Sequence, residues 1–117
     1  MRDHRRLKVF QLADRLALLV YERTRDFPSH ERFGLSAQMR RAAVSTATNI
    51  VEGAARRSDA DFSRFLIIAY GSAREVEYQA SLANRLGYIT PAATEEINAA
   101  ASQTARALRA LITRIAP

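Results

Sequence analysis

The chain has 117 residues, of which 48% are apolar and 26% charged, as in a folded globular domain rather than a disordered segment. This length suits one domain, which we assign to residues 1–117 with a basic N-terminal tail at residues 1–7. Cysteine is absent, so disulfides, thiol chemistry and cysteine-built zinc sites are excluded. A net charge of +6 favours anionic partners. No apolar run approaches the ~20 residues of a membrane span, nor does a signal-type apolar stretch follow the N-terminus, so we expect a cytoplasmic protein.

Hydrophobic periodicity predicts helices throughout, since no stretch alternates at period two for long enough to form a strand. The first predicted helix runs from about Lys8 to Thr24, and Phe27-Pro28 ends it. One side of this helix carries the residues expected to face the core, namely Val9, Phe10, Ala13, Leu16, Ala17, Val20 and Tyr21.

Three further helices follow, separated by short connections. The second begins near residues 34–36 and closes around residues 53–57. Ser58 is typical of an N-cap for the third helix, and Gly87 is the expected C-terminal cap after Leu86. Thr90-Pro91 indicates the start of the fourth helix. The sequence therefore predicts an all-α protein, most simply an antiparallel up-down-up-down four-helix bundle.

The second predicted helix carries a polar stripe that ordinary amphipathic packing does not require. Arg41, Ser45, Asn49, Glu52 and Arg56 fall within an arc of roughly 80°, opposite a broad apolar arc. Ser45, Asn49 and Glu52 either face solvent or form, with Glu75 of the third helix, a polar network between helices or subunits. Both interpretations remain open at this point.

The third predicted helix has a second arc outside its main apolar face. Its members recur every three or four residues, as on a helix face that meets another surface. We consider three interpretations: a solvated bundle flank, a subunit interface, or a platform on which unpaired bases stack. The arc comprises Ile67, Tyr70, Arg74, Tyr78, Ser81 and Arg85.

No arrangement of residues suggests catalysis or a bound cofactor. His4 lies in the basic tail and His30 in a connection, so neither completes the Glu-x-x-His motif of a di-metal bundle. There is no Ser-His-Asp or Cys-His set and no phosphate-binding glycine loop. We therefore expect no enzyme, no metal and no cofactor, and we expect Gly71 to allow close helix packing.

A run of motifs resembles a known family of bacterial four-helix-bundle proteins, first noticed as products of intervening sequences within 23S rRNA genes. The resemblance covers about residues 8–90, and the fourth helix matches only in character. The motifs are Phe27-Pro28, Glu31 to Leu35, Gln38 to Ser45, Asn49 to Gly53, Phe62 with Phe65-Leu66, Ala69 to Ser72, and Leu86 to Ile89.

This resemblance implies a small antiparallel bundle that assembles into ring-like homo-oligomers, typically pentamers. One branch of the family serves diversity-generating retroelements and binds a reverse transcriptase and nucleic acid. A protein partner such as a reverse transcriptase is therefore one expectation for this chain. The resemblance transfers no catalytic residue, since the family has none assigned.

Arginines are the remaining candidates for a binding site, because they would contact phosphates of RNA or DNA. Our main interpretation is a non-enzymatic oligomeric adaptor that binds nucleic acid weakly and without sequence preference. The alternative is a structural or protein-interaction module whose charges only confer solubility. The candidate nucleic-acid contacts are Arg40, Arg41, Arg56, Arg57, Arg74 and Arg85.

Overall fold

The structure is a computed structural model, and it describes residues 2–115. Within that range the long helices are α1 (Lys8–Arg23), α2 (Leu35–Ala54), α3 (Asp59–Arg85) and α4 (Pro91–Ile115). Short 3-10 turns precede α1 and α2, and no strand occurs among these residues. The all-α prediction is therefore confirmed, and each long helix matches its predicted position within a few residues.

The helices form a four-helix bundle of 43 × 22 × 19 Å. Each helix packs on its neighbour in the chain, and α1 packs on α4 to close the bundle, whereas the backbones of diagonal helices do not approach each other closely. Short connections make consecutive helices antiparallel, which is the up-down-up-down arrangement. No helix in the described part of the chain is both long and apolar enough to cross a membrane.

Local sequence determines where the helices begin and end. Ser58 Oγ accepts a hydrogen bond from the Asp61 backbone N–H at 3.1 Å, and Thr90 Oγ1 accepts one from Ala93 N–H at 3.1 Å. Gly87 adopts a positive φ of 78° after α3, and the Tyr88 N–H donates to Ala83 O at 2.9 Å. The predicted caps are thus confirmed at both ends of the α3–α4 connection.

The core consists of two apolar clusters, one toward each end of the bundle. Thr46 and Thr104 are fully buried, at sequence positions between the residues of the two clusters. Each hydroxyl donates to the carbonyl four residues earlier, Ala42 O and Ala100 O. The first cluster includes Leu16, Val20, Leu35, Met39, Val76 and Ile97. The second includes Val9, Ile50, Phe62, Leu66 and Leu108.

Close packing between α2 and α3 depends on Gly53 and not, as expected from the sequence, on Gly71. A Cβ atom added at Gly53 would lie 2.9 Å from Phe65 Cβ and 3.1 Å from Phe62 Cδ1. A Cβ added at Gly71 would meet nothing within 4 Å, because this residue lies on the exposed side of α3. The expectation for Gly71 was therefore wrong.

Near the N-terminus, Arg2 lies against the connection between α2 and α3. The Arg2 backbone N–H donates to Ala54 O at 2.9 Å, and its guanidinium donates to Arg56 O at 3.1 Å and pairs with Asp59. The same guanidinium lies 4.1 Å from the centroid of the buried Phe62 ring. Arg2 therefore joins the N-terminal segment to the end of α2 and the start of α3.

Candidate nucleic-acid interface

A surface depression lies where the end of α1 meets the start of α2, and we call it the arginine groove. It consists of two adjoining concavities of about 490 and 210 Å³ that share Arg32 and Arg40. The side chains that line it are Tyr21, Thr24, Arg25, Phe27, Pro28, Ser29, Arg32, Phe33, Ser36, Ala37, Arg40, Arg41 and Val44.

The groove is electropositive because four arginines and no carboxylate line it. Within residues 2–115, none of its four arginines forms an ion pair with Asp or Glu. The nearby Glu22 pairs with Arg23 at 3.2 Å, and Glu31 accepts hydrogen bonds from Leu35 N–H and Tyr88 Oη–H. These nearby carboxylates are thus engaged with groups outside the groove.

Two hydrogen bonds to the end of α1 orient the Arg40 side chain in the groove. Its Nε donates to Thr24 Oγ1 at 2.9 Å, and one terminal nitrogen donates to Tyr21 O at 3.5 Å. Thr24 is itself 1% exposed and donates its hydroxyl to Val20 O at 2.8 Å. Since a guanidinium has five N–H groups, Arg40 retains donors for an anion after making these contacts.

Two aromatic rings flank these cations. The Arg40 guanidinium lies 4.7 Å from the Tyr21 ring centroid, and that of Arg32 lies 5.2 Å from the Phe33 ring centroid. Tyr21 is 47% exposed and Phe33 86% exposed. Hydrophobic periodicity placed Tyr21 on the side of the first helix that is expected to face the core. That expectation was wrong, because Tyr21 faces the groove instead.

The structure distributes the six candidate arginines over separate sites. Arg40 and Arg41 line the groove. Arg56 stacks on Phe65 at 4.7 Å next to the exposed Arg57, beyond the other end of α2 and about 24 Å away along the helix axis.

The remaining two candidates lie on α3. Arg74 pairs with Glu77 at 3.8 Å, and Arg85 Nε donates to Ser81 O at 3.3 Å near the end of the helix. The six arginines therefore do not form one surface on a single chain.

The predicted polar network forms only in part. Ser45 Oγ hydrogen-bonds to Ser72 Oγ at 3.0 Å across α2 and α3, and Asn49 Nδ2 donates to Ser45 O at 2.8 Å and Ser45 Oγ at 3.0 Å. Glu52 and Glu75 are exposed and, within residues 2–115, take no part in it. Water can solvate both carboxylates where they lie, so neither needs a buried partner.

A second, polar depression of about 340 Å³ separates α2 from α3 beside this network. Gln38, Arg41, Glu75 and Gln79 line it, and Arg41 also lines the arginine groove. Gln79 is 6% exposed, and its side-chain oxygen accepts no hydrogen bond within residues 2–115. Arg41 therefore stands on the ridge between two concave surfaces.

Glu31 and Tyr88 form a hydrogen-bonded pair next to the groove. The backbone N–H of Leu35 donates to Glu31 Oε1 at 2.9 Å, and this bond, followed by that from the Tyr88 hydroxyl at 2.9 Å, lowers the pKa of Glu31. The same carboxylate raises the pKa of Tyr88. Glu31 thus remains ionised and fastens the first turn of α2 to the α3–α4 connection.

The described residues do not bring metal ligands together. In residues 2–115 no group of three or more His, Asp or Glu side chains is placed to hold a metal ion. His4 packs on Phe10 with ring centroids 4.8 Å apart, and His30 Nε2 lies 3.3 Å from Tyr88 Oη.

Sequence reasoning missed Tyr21, Arg25, Arg32 and Phe33 as site residues. Tyr21 lies in the last turn of α1 and Arg25 lies two residues beyond the end of that helix, whereas Arg32 and Phe33 belong to the connection before α2. The available signal was the Arg32-Phe33 pair, a cation beside an aromatic residue in a segment with no predicted core role. Their meeting with Arg40 and Arg41 depends on how α1 packs on α2.

Comparison with known proteins identifies the class to which this bundle belongs. The 23S rRNA-intervening sequence protein family matches residues 5–110, and the chain belongs to this family. A similar solved structure is a protein of unknown function from the S23 ribosomal protein family of Bacteroides thetaiotaomicron. It is 30% identical, with a TM-score of 0.80 over 89% of this chain and 97% of that chain. No curated protein matches the sequence.

Proposed function

We propose that this chain is a non-enzymatic, oligomeric four-helix-bundle protein that binds RNA or DNA weakly and without sequence preference. The arginine groove is the proposed contact surface. The observation that carries this proposal is the convergence of Arg25, Arg32, Arg40 and Arg41 on a surface that no carboxylate lines.

A phosphate backbone fits the charge and donor geometry of this groove. Planar guanidinium groups donate two N–H bonds at once to phosphate oxygens, and Arg40 is already oriented by Thr24 and Tyr21. Contacts of this kind neutralise phosphates but carry no sequence information. We therefore expect affinity that depends on ionic strength more than on base sequence.

Self-association would strengthen such binding. A ring repeats the groove around its axis, so several weak contacts act on one strand. We propose a ring-like homo-oligomer, with a pentamer as the first size to test. Large exposed apolar side chains support an intersubunit contact on α1 and α3, where Leu18 is 67% exposed and Ile67 55% exposed.

A mobility-shift assay with labelled RNA and DNA tests nucleic-acid binding. At low salt and micromolar protein, we expect the wild-type chain to shift both, and the double variant Arg32→Ser/Arg41→Ser to shift them much less. The matched control is Arg106→Ser/Arg109→Ser, which removes the same charge from exposed positions of α4 outside the groove. If the wild type shifts neither nucleic acid, the proposal is wrong.

The second candidate function is a structural or protein-interaction module that does not bind nucleic acid. The exposed apolar residues favour it, because Ile68 and Leu86 on the α3 side are about half exposed. A protein partner such as a reverse transcriptase is compatible with either candidate function. Loss of oligomerisation or partner binding in α3 variants, together with no nucleic-acid shift in the wild type, would favour this second function.

A further inference from the structure

We propose that the arginine groove takes single-stranded rather than duplex nucleic acid, with unpaired bases stacking on Phe33 and Tyr21. This inference rests on the proposed function and adds a substrate class to it. Arginines alone would bind the phosphates of a duplex equally well, so the preference for a single strand depends on the aromatic rings.

Phe33 is the most exposed large apolar side chain described in the chain, at 86%. It lies in the connection before α2 and lines the larger concavity, which Tyr21 also lines. Covering an apolar ring that is exposed to water lowers the free energy of the system. The exposed Phe33 ring is therefore available for a ligand to cover.

The surroundings of both rings suit a nucleotide base. One face of Tyr21 lies under Arg40 and one face of Phe33 under Arg32, at 4.7 and 5.2 Å from the ring centroids. A base stacked on the opposite face would complete a guanidinium–ring–base arrangement, while the arginines contact the adjoining phosphates. Arginine and aromatic side chains interleaved in this way are typical of single-strand-binding surfaces.

A duplex cannot use these rings. Its bases are stacked on one another, so their faces are not available to a side chain unless they unpair. A single strand presents both its phosphates and its base faces to the same groove.

Charge favours a nucleic-acid strand over a second copy of the chain as the occupant. The groove has four arginines and no lining carboxylate, and the whole chain carries a net charge of +6. A second copy would bring a surplus of positive charge to this surface, whereas a polyanion neutralises it.

The substitution Phe33→Trp converts the ring into a reporter, since the chain contains no tryptophan. We expect a short single-stranded DNA of mixed sequence to quench the emission of this Trp, because stacked bases quench indole fluorescence. The duplex of the same strand, at equal phosphate concentration, should leave the emission unchanged. Tyr78→Trp, at a position 61% exposed on α3, is the control whose emission neither DNA should change.

A second variant measures affinity directly. Phe33→Ala removes the stacking surface from an exposed position, so we expect single-strand affinity to fall roughly 5- to 100-fold. The affinity for duplex and the salt dependence of single-strand binding should stay unchanged, since the phosphate contacts remain.

Several outcomes would overturn the inference. Equal quenching by duplex, or quenching at Tyr78→Trp instead of Phe33→Trp, would place the bases elsewhere. A change in Phe33→Trp emission with protein concentration alone would show that a second copy covers the ring. If Phe33→Ala binds single strands normally while Arg32→Ser/Arg41→Ser does not, nucleic-acid binding stands and stacking is wrong. If the wild type binds neither DNA, both proposals fail.

Discussion

Two helical glycines, Gly53 and Gly71, have opposite surroundings. Gly53 is buried where α2 approaches Phe62 and Phe65 on α3, whereas Gly71 faces solvent within α3. The same substitution should therefore change stability in opposite directions at the two sites.

We expect Gly71→Ala to raise the free energy of unfolding by about 0.5–1 kcal/mol, because alanine loses less backbone entropy in a helix. Gly53→Ala should lower it by roughly 1–3 kcal/mol, because its Cβ would crowd Phe65 Cβ at 2.9 Å. Thermal unfolding followed by circular dichroism measures both. Shifts of the same sign would show that the α2–α3 contact is misjudged.

Glu31 makes stability depend on pH in the acid range. Its hydrogen bonds from Leu35 N–H and Tyr88 lower its pKa below the usual 4.5, so the folded state binds its proton less readily than the unfolded state. The contribution is fully present above pH 4.5 and is lost as the pH falls through the lowered pKa.

Glu31→Gln should therefore destabilise the protein at neutral pH, and the difference from wild type should shrink at pH values below the folded pKa. Urea unfolding at several pH values measures this difference. The control Asp14→Asn, at an exposed position of α1, should leave stability nearly unchanged throughout. A difference at Glu31 that grows toward acid pH would contradict this role.

At the scale of helices, the hydrogen bond between Ser45 and Ser72 joins α2 to α3 beside an open polar depression. Removing either hydroxyl breaks the same bond, so the two substitutions should not be additive. We expect a coupling energy of about 0.5–1 kcal/mol between Ser45→Ala and Ser72→Ala in a double-mutant cycle measured by urea unfolding. Additive effects would mean that the two hydroxyls act independently.

Helix positions could be predicted from the sequence because their determinants are local. Ser58, Gly87 and Thr90 act through hydrogen bonds and dihedral angles within a few residues, and each has the predicted role. The polar stripe on α2 was also visible, because helical periodicity alone places Ser45 and Asn49 on one side.

The arginine groove could not be predicted in this way. Tyr21 and Arg40 meet across α1 and α2, and the sequence contains no local pattern that fixes this contact. Likewise, periodicity placed Glu52 and Glu75 near the polar stripe, but whether a carboxylate is solvated depends on the depth of the α2–α3 depression. Such features follow from packing, which pattern analysis does not determine.

At the scale of the whole molecule, the proposed ring requires two different surfaces that fit each other. Light scattering after size-exclusion chromatography should give the mass of an oligomer, that is, several times the 13.1 kDa of one chain. Leu18→Glu or Ile67→Glu should shift this mass toward the monomer, because each places a charge in the proposed contact. The control Ala99→Glu, at an exposed position of α4, should not. A wild-type monomer at micromolar concentration would contradict the ring.

Binding of phosphates by the arginine groove is tested by the salt dependence of single-strand affinity. For the wild type, the logarithm of the binding constant should fall linearly with the logarithm of salt concentration, by about 0.7 per phosphate neutralised. Arg32→Ser/Arg41→Ser should make this slope shallower by about 1.4, since two phosphate contacts are lost. Arg106→Ser/Arg109→Ser should retain the wild-type slope. An identical slope in the groove variant and the wild type would contradict the claim.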